Sequence, residues 1–411
     1  MRRHLSRLIV VLSVAIGLML MPRESQAIPA FARQTKLGCN TCHTIFPQLT
    51  RFGRDFRDNG FRTPDEVQQL LKKTPPPPTT QKPAEDFWSF IPDQIPLSIQ
   101  AKLHYAINPK GDVKTDFQLE ELQLQSGGTF TPRISYYLHH HLVEEGEPGT
   151  LYTGWVRFNN LIGSNWLNVT VGQFELPLSF SPEIERLSSF DYLVYERQLG
   201  ANPFNLNDPQ LGVQVFGQSD RGTKFWAGVV NGTGLSQNET THTFDSNSFK
   251  DVYARVTQEI GEHFVGGFVY YGKTTASAAD IAPFDDSFIR VGGDAFVNLR
   301  KIILSGVALY ARDDDPLGTG EHRTFYGGFA EGDLFVTDRT VVLARIDAGH
   351  QSQPAVFGTS DETETAFRVN TVAFTPGLQW LARPNVKLGF EYQVRQARDE
   401  DRALAQLHLS F

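Results

Sequence analysis

The chain has 411 residues, 40% of them hydrophobic, with 31 Phe, 12 Tyr, 5 Trp and 35 Gly against 2 Cys and 3 Met, and a net charge of −8. Aromatic and Gly enrichment at so modest a hydrophobic total suits alternating strands better than aliphatic-cored soluble domains. The only apolar run approaching the roughly 20 residues of a bilayer helix is Leu8 to Met21, which excludes a polytopic helical membrane protein, and two Cys exclude a disulfide-rich scaffold.

Residues 1–27 read as a signal peptide: Arg2, Arg3 and Arg7 precede the apolar run, and Ser25-Gln26-Ala27 forms a small-x-small cleavage site. The alternative is an uncleaved anchor, for which the apolar core is short. The expected mature chain starts at Ile28. Met1, Met19 and Met21 all leave with the signal, so the mature chain has no methionine. Losing four Arg and one Glu takes the net charge from −8 to −11. Residues 28–73 form a basic head, with eight cationic residues against four acidic ones, which leaves −15 on the rest. The tetraproline Pro75 to Pro78 and the Thr79-Thr80-Gln81-Lys82-Pro83 run after it mark residues 74–96 as a stiff linker.

The chemical signal of the head is Cys39-Asn40-Thr41-Cys42-His43. A C-x-x-C-H run places two thiols one helical turn apart to form thioethers with the haem vinyl groups, and it points the adjoining imidazole at the iron. A thioredoxin-like redox pair would need a βαβ pattern nearby, and a zinc site a second pair of ligands. Neither is present in the head. The reading is therefore one covalently bound haem c, with His43 as axial ligand. Phe46, Leu49, Phe52 and Phe56 then recur at three or four residue steps with Gly60 as a C-terminal cap, which predicts a haem-packing helix. A head of 46 residues has little core of its own, and the haem is expected to supply it. Methionine is excluded as the sixth iron ligand, which leaves histidine, another nitrogen or oxygen donor, water or an empty position. A second His would have to come from the acidic part of the chain, where His104, His139 and His141 are the candidates.

From residue 97 to 411 the pattern is two-residue alternation. Leu97, Ile99, Leu103 and Tyr105 alternate with Ser98, Gln100, Lys102 and His104, and Val386, Leu388, Phe390 and Tyr392 with Lys387, Gly389, Glu391 and Gln393. Strands are expected near residues 97, 117, 133, 151, 166, 209, 223, 249, 263, 287, 301, 324, 339, 366, 386 and 402, each about 9 to 11 residues long. Long connections fall near Glu144 to Glu147, Leu176 to Gln210, Gly232 to Ser248, Lys273 to Ser287, Asp313 to Arg323 and His350 to Thr363. Short ones fall near Ser126-Gly127-Gly128, Leu161 to Asn165, Ser219 to Gly222, Gly261-Glu262, Asn298 to Arg300 and Arg383-Pro384-Asn385. This rhythm predicts an all-β, transmembrane antiparallel β-barrel of about sixteen strands carrying a small helical haem head. Even parity puts both barrel ends on the periplasmic side. Alternation also puts His139 and His141 on the lumen face with Ser135 and Tyr137, either as a distal ligand or metal stop or as polar lumen lining. The long loop bearing Phe180, Phe190, Tyr192, Tyr195 and Phe204 either folds inward or covers the outer mouth. The acidic runs Asp313-Asp314-Asp315, Asp361-Glu362 and Asp399-Glu400-Asp401 either attract cations or merely solvate the outer surface.

The run Pro29 to Gln34, the Cys39 to His43 motif, Phe46-Pro47-Gln48-Leu49, Phe52-Gly53-Arg54-Asp55-Phe56 and Asn59-Gly60-Phe61 together resemble the outer-membrane fused cytochrome–porin family of iron-oxidising bacteria. The likeness spans the whole layout. Its motif-level part is confined to the head, and the barrel resembles the porin half in pattern and in its terminal Phe411. The resemblance implies an Fe(II):cytochrome c oxidoreductase of the bacterial outer membrane. One haem c, held by Cys39, Cys42 and His43, would take electrons from extracellular Fe(II) and pass them to a periplasmic carrier such as a soluble cytochrome c. Outer-membrane lipid is the other expected partner, and nucleic acid is not one. Two further readings stay open: an electron conduit for another extracellular donor or acceptor, and a diffusion porin with a haem-containing plug.

Overall fold

The computed structural model describes residues 30–71, 96–109, 111–180, 185–234, 244–245, 247–278, 281–352, 370–396 and 401–411. The signal segment and its cleavage site, linker residues 74–95, and the acidic pairs Asp361-Glu362 and Asp399-Glu400 lie outside the described residues. The head holds helices α1 (Ala30–Thr35), α2 (Cys39–Cys42), α3 (Arg51–Asp58) and α4 (Pro64–Leu71), with a small hairpin, β1 (His43–Ile45) and β2 (Gln48–Leu49), between α2 and α3.

The barrel strands are β3 (Leu97–Ile107), β4 (Thr115–Thr131), β5 (Ile134–Glu144), the two-residue β6 (Glu147–Pro148), β7 (Leu151–Phe158), β8 (Asn168–Phe174), β9 (Gln210–Gln218), β10 (Thr223–Val230), β11 (Asp251–Ile260), β12 (His263–Ala278), β13 (Ile281–Asn298), β14 (Ile302–Asp313), β15 (Arg323–Thr337), β16 (Thr340–Gln351), β17 (Asn370–Arg383), β18 (Val386–Arg395) and β19 (Arg402–Ser410). Apart from the short β6 these are sixteen antiparallel strands closed into one barrel, in which β19 pairs with β3 and Ile99 exchanges both backbone hydrogen bonds with Phe411. Closure leaves no edge strand.

Polarity in the wall is reversed relative to a soluble protein. On β11, Tyr253, Arg255, Thr257 and Glu259 are buried, while Val252, Val256 and Ile260 are 43%, 53% and 65% exposed. On β18, Lys387, Glu391 and Gln393 are buried while Phe390 is 50% exposed. The side-chain period of two sends every second residue outward, so apolar side chains face out as a lipid-facing wall requires and polar ones line the lumen. No helix among the described residues is long and apolar enough to cross a membrane.

Long and short connections fall at opposite ends, and both chain ends of the barrel lie at the short-turn end. Two expected connections move. Ser126-Gly127-Gly128 is not a turn: Gly127 and Gly128 sit inside β4, paired with Tyr137 and Tyr136, and the turn is at Pro132-Arg133. The glycine instead makes room for the head, since a Cβ at Gly127 would lie 2.8 Å from Phe31 Cζ and 2.9 Å from Tyr137 Cδ2. The stretch Lys273 to Ser287 is not a loop either. Lys273 pairs with Ser287, Thr274 with Asp286 and Thr275 with Asp285, so β13 begins at Ile281 rather than near 287. Its polar residues belong to strands that run on past the apolar part of the wall, and polarity alone had suggested a loop.

The described residues of the long connection, 175–180 and 185–209, fold inward. Phe180, Phe190, Tyr192, Tyr195 and Phe204 are all buried. Phe180 packs on Phe264, Phe296 and Phe329, and Tyr192 stacks on Phe329 with ring centroids 3.9 Å apart. Polar anchors hold the loop in place. Arg345 donates to the Phe190 and Asp191 carbonyls at 2.7 and 2.8 Å, and Glu391 accepts from Ser188 Oγ and Ser189 N at 2.6 and 2.8 Å. Asp313, expected on a solvated acidic loop, is fully buried and pairs with Arg290 while accepting from Asn202 Nδ2 at 2.9 Å. Inward-loop polar groups need partners, and Asp313 is one of them.

Candidate haem site inside the barrel lumen

The head occupies the lumen at the short-turn end. Arg62 donates to the Pro132 carbonyl at 2.8 Å, Arg51 to the Gly261 carbonyl at 3.1 Å, and Gln48 Nε2 to Asp333 Oδ2 at 2.9 Å. Its ionic contacts centre on Lys224 of β10, whose Nζ lies 2.8 Å from Asp55, 2.9 Å from Asp58 and 3.1 Å from the wall's own Glu259. Burial alone would raise Asp58, but Lys224, with Arg57 and Arg157, more than offsets it and holds that carboxyl below its ordinary value. Arg57 reaches Glu185 of the inward loop at 2.9 Å, which ties the head to the loop above it.

Within the head the cysteine turn is locked to α3. Thr50 caps that helix by accepting from Gly53 N at 3.1 Å while its hydroxyl donates to the Thr41 carbonyl at 2.7 Å. Thr50 N donates to the Cys42 carbonyl at 2.9 Å. The expected helix from Phe46 is shorter than its periodicity suggested. Phe46 and Leu49 precede it, because Thr50 takes the cap position and Pro47 lies in the hairpin, so only Phe52 and Phe56 of the aromatic series are on α3. Gly53 is where α3 meets the cysteine turn, since a Cβ there would fall 2.1 Å from the Cys42 carbonyl oxygen. Gly53→Val is expected to push the two helices apart and cost about 1–3 kcal/mol. Thermal unfolding of the purified protein, followed by protease resistance of the head, checks this.

Cys39, Cys42 and His43 all line a cavity of about 290 Å³ between the head and the wall, together with Phe31, Phe56, Phe61, Trp155 and Phe264. His43 Nδ1 donates to the Pro47 carbonyl at 3.0 Å, which fixes the ring and leaves Nε2 as the lone-pair nitrogen. Burial lowers the imidazole below its ordinary value, against the Pro47 and Gln48 carbonyls that raise it, and a neutral ring is the form that binds metal. Burial, and then the neighbouring Cys39, push the Cys42 thiol up. A reactive redox cysteine needs the opposite shift. Among the described residues no group of three or more His, Cys, Asp or Glu could hold a metal ion.

This donor set fits haem c: two thiols for the vinyl groups, an oriented imidazole, an aromatic wall, and Arg157 on the same lining as a cation for the carboxylates of the group, Arg57, Arg255 and Arg54 being paired with Glu185, Asp294 and Glu259. The sequence did not single out these arginines or Lys224. Alternation placed the barrel cations on the lumen face, but charged lumen residues are general in barrels and did not reveal that the head would meet them.

The distal candidates part company. His139 lines the cavity. His104 does not: its Nε2 accepts from Gln406 at 2.8 Å, and its Nδ1 lies 3.3 Å from Glu120. His141, one step further along the face, stacks on Tyr152 at 4.9 Å with Nδ1 2.9 Å from Glu144.

No family model and no curated protein matches the chain. Solved structures do. An anion-selective porin from Comamonas acidovorans matches at TM-score 0.56 and 10% identity, over 77% of this chain and 99% of that one. The outer membrane channel DcaP of Acinetobacter baumannii matches at 0.54 and 13%, over 77% and 97%. OmpT, an outer membrane protein of Vibrio cholerae, matches at 0.53 and 10%, over 77% and 99%. The shared fold is the porin-like barrel.

Proposed function

We propose that this chain is an outer-membrane monohaem cytochrome–porin that oxidises extracellular Fe(II) and passes each electron to a periplasmic carrier. The observation that carries the reading is the convergence of Cys39, Cys42 and His43 on an aromatic cavity inside the lumen of a porin-like barrel. Haem c bound there supplies a one-electron couple, so each Fe(II) becomes Fe(III) and gives up one electron, with no other bond made or broken.

The protein's own residues do the rest. Cys39 and Cys42 hold the group covalently, and Pro47 orients His43 through its carbonyl. Phe31, Phe56, Phe61 and Trp155 give the site an apolar face. The inward loop and the head enter the lumen from its two ends, which would separate the metal substrate from the carrier, with the cavity lined by Cys39, Cys42 and His43 between them. Porin-type barrels carry their long loops outside and their short turns in the periplasm, so the head faces the carrier.

The test is to add Fe(II) to oxidised, haem-loaded protein. Reduction of the haem absorption band by one electron per chain is expected. An unchanged band, with reduction by some other small donor, would replace this reading by an electron conduit of different specificity.

A further inference from the structure

We infer that His139 of the barrel wall supplies the sixth ligand of the haem iron; this rests on reading Cys39, Cys42 and His43 as a haem c site. Two histidines among the described residues line the cavity, and His43 and His139 are those two. The other imidazoles nearby are placed for something else. His104 is held by Gln406 and Glu120, and His141 sits against Tyr152 and Glu144. His408 lies on the far side of Phe46, whose ring is 5.2 Å from His43 and 4.8 Å from His408. Cavity carboxylates are already matched to cations: Glu185 and the nearby Glu175 to Arg57, and Asp58 and Glu259 to Lys224. No methionine competes among the residues after position 27.

The wall also holds His139 ready. Its backbone pairs with Gln125 on one side and Thr153 on the other, and its ring is flanked by Tyr137, His141 and Tyr152 at centroid distances of 6.3, 4.7 and 5.1 Å. A ligand fixed on a strand and packed on three sides loses little freedom on binding. Ligation from β5 would make the haem a bridge between the head and the barrel, so a change at His139 alters both the iron spectrum and the head's attachment.

The experiment uses the full chain matured with haem and purified in detergent, with absorption and electron paramagnetic resonance spectra of the ferric state. Wild type is expected to be low-spin with two nitrogen axial ligands. His139→Ala should keep covalent haem but become high-spin, and added imidazole should restore the low-spin spectrum. His139→Met, a second variant in case the cavity collapses, should be low-spin with a thioether signature and a raised midpoint potential. His104→Ala and His141→Ala should match wild type. A low-spin, two-nitrogen spectrum persisting in both His139 variants, or a high-spin wild type, overturns the assignment while leaving the haem reading intact. Absence of covalent haem from wild type overturns that reading itself, and this assignment with it.

Discussion

Lys224→Met releases the head from the lumen. The ammonium is 2% exposed and serves three carboxylates, two of them on the head, at 2.8, 2.9 and 3.1 Å. Its removal leaves those carboxylates only longer arginine contacts, Arg51 to Asp55 at 3.8 Å, Arg57 to Asp58 at 3.7 Å, and Arg51 and Arg54 to Glu259 at 3.5 and 3.7 Å, so the loss approaches that of removing one partner of a buried pair, about 3–5 kcal/mol. Arg157, which donates to the Asp58 carbonyl at 2.9 Å, and Gln48 on Asp333 also remain. The expected result is rapid proteolysis of the head in otherwise folded protein and a rise in ion conductance across planar bilayers, with Lys224→Arg restoring most of the wild-type behaviour. Unchanged protease resistance and conductance would show that the remaining hydrogen bonds of Arg62, Arg51, Gln48 and Arg157 and the aromatic contacts of Phe31 and Phe61 hold the head without Lys224.

The largest chemical effect is expected at the cysteine motif. Cys39→Ser combined with Cys42→Ser removes both thioethers, and haem staining of the denatured chain should disappear. His43→Ala leaves the thiols but takes away the imidazole oriented by Pro47, so the six-coordinate spectrum should be lost and the rate of Fe(II)-dependent reduction should fall by roughly 100-fold or more. Changes to the partners of such a ligand already cost 10–100-fold, and loss of the ligand itself sets the larger bound. A six-coordinate spectrum in His43→Ala would remove this residue from the site.

Most of the wall was legible because strand alternation is a local signal. Leu97 to Tyr105 and Val386 to Val394 announce their two faces residue by residue, and the turn residues of Ser219 to Gly222 and Arg383 to Asn385 punctuate them. Legibility failed where one residue type serves two purposes. Gly127 looks like a turn residue, yet it is a gap for Phe31. Asp313 looks like a solvated loop acid, yet it anchors the inward loop through Asn202. At the candidate site, Cys39, Cys42 and His43 were evident from their spacing. The separation of His139 from His104 was not, since both lie on lumen faces and only the position of the head, a contact between residues far apart in sequence, distinguishes them. Lys224 was hidden for the same reason.

The head touches the wall around much of its circumference: the turn at Pro132, β10 at Lys224, the turn at Gly261, β15 at Asp333 and β19 through Phe46 and His408. Once it is seated, its cysteines are half-buried and line the cavity between head and wall. On the proposed reading, biogenesis is expected to join the haem to Cys39 and Cys42 while the head is still outside, where both thiols are fully accessible, and the barrel then takes up the loaded head as cargo.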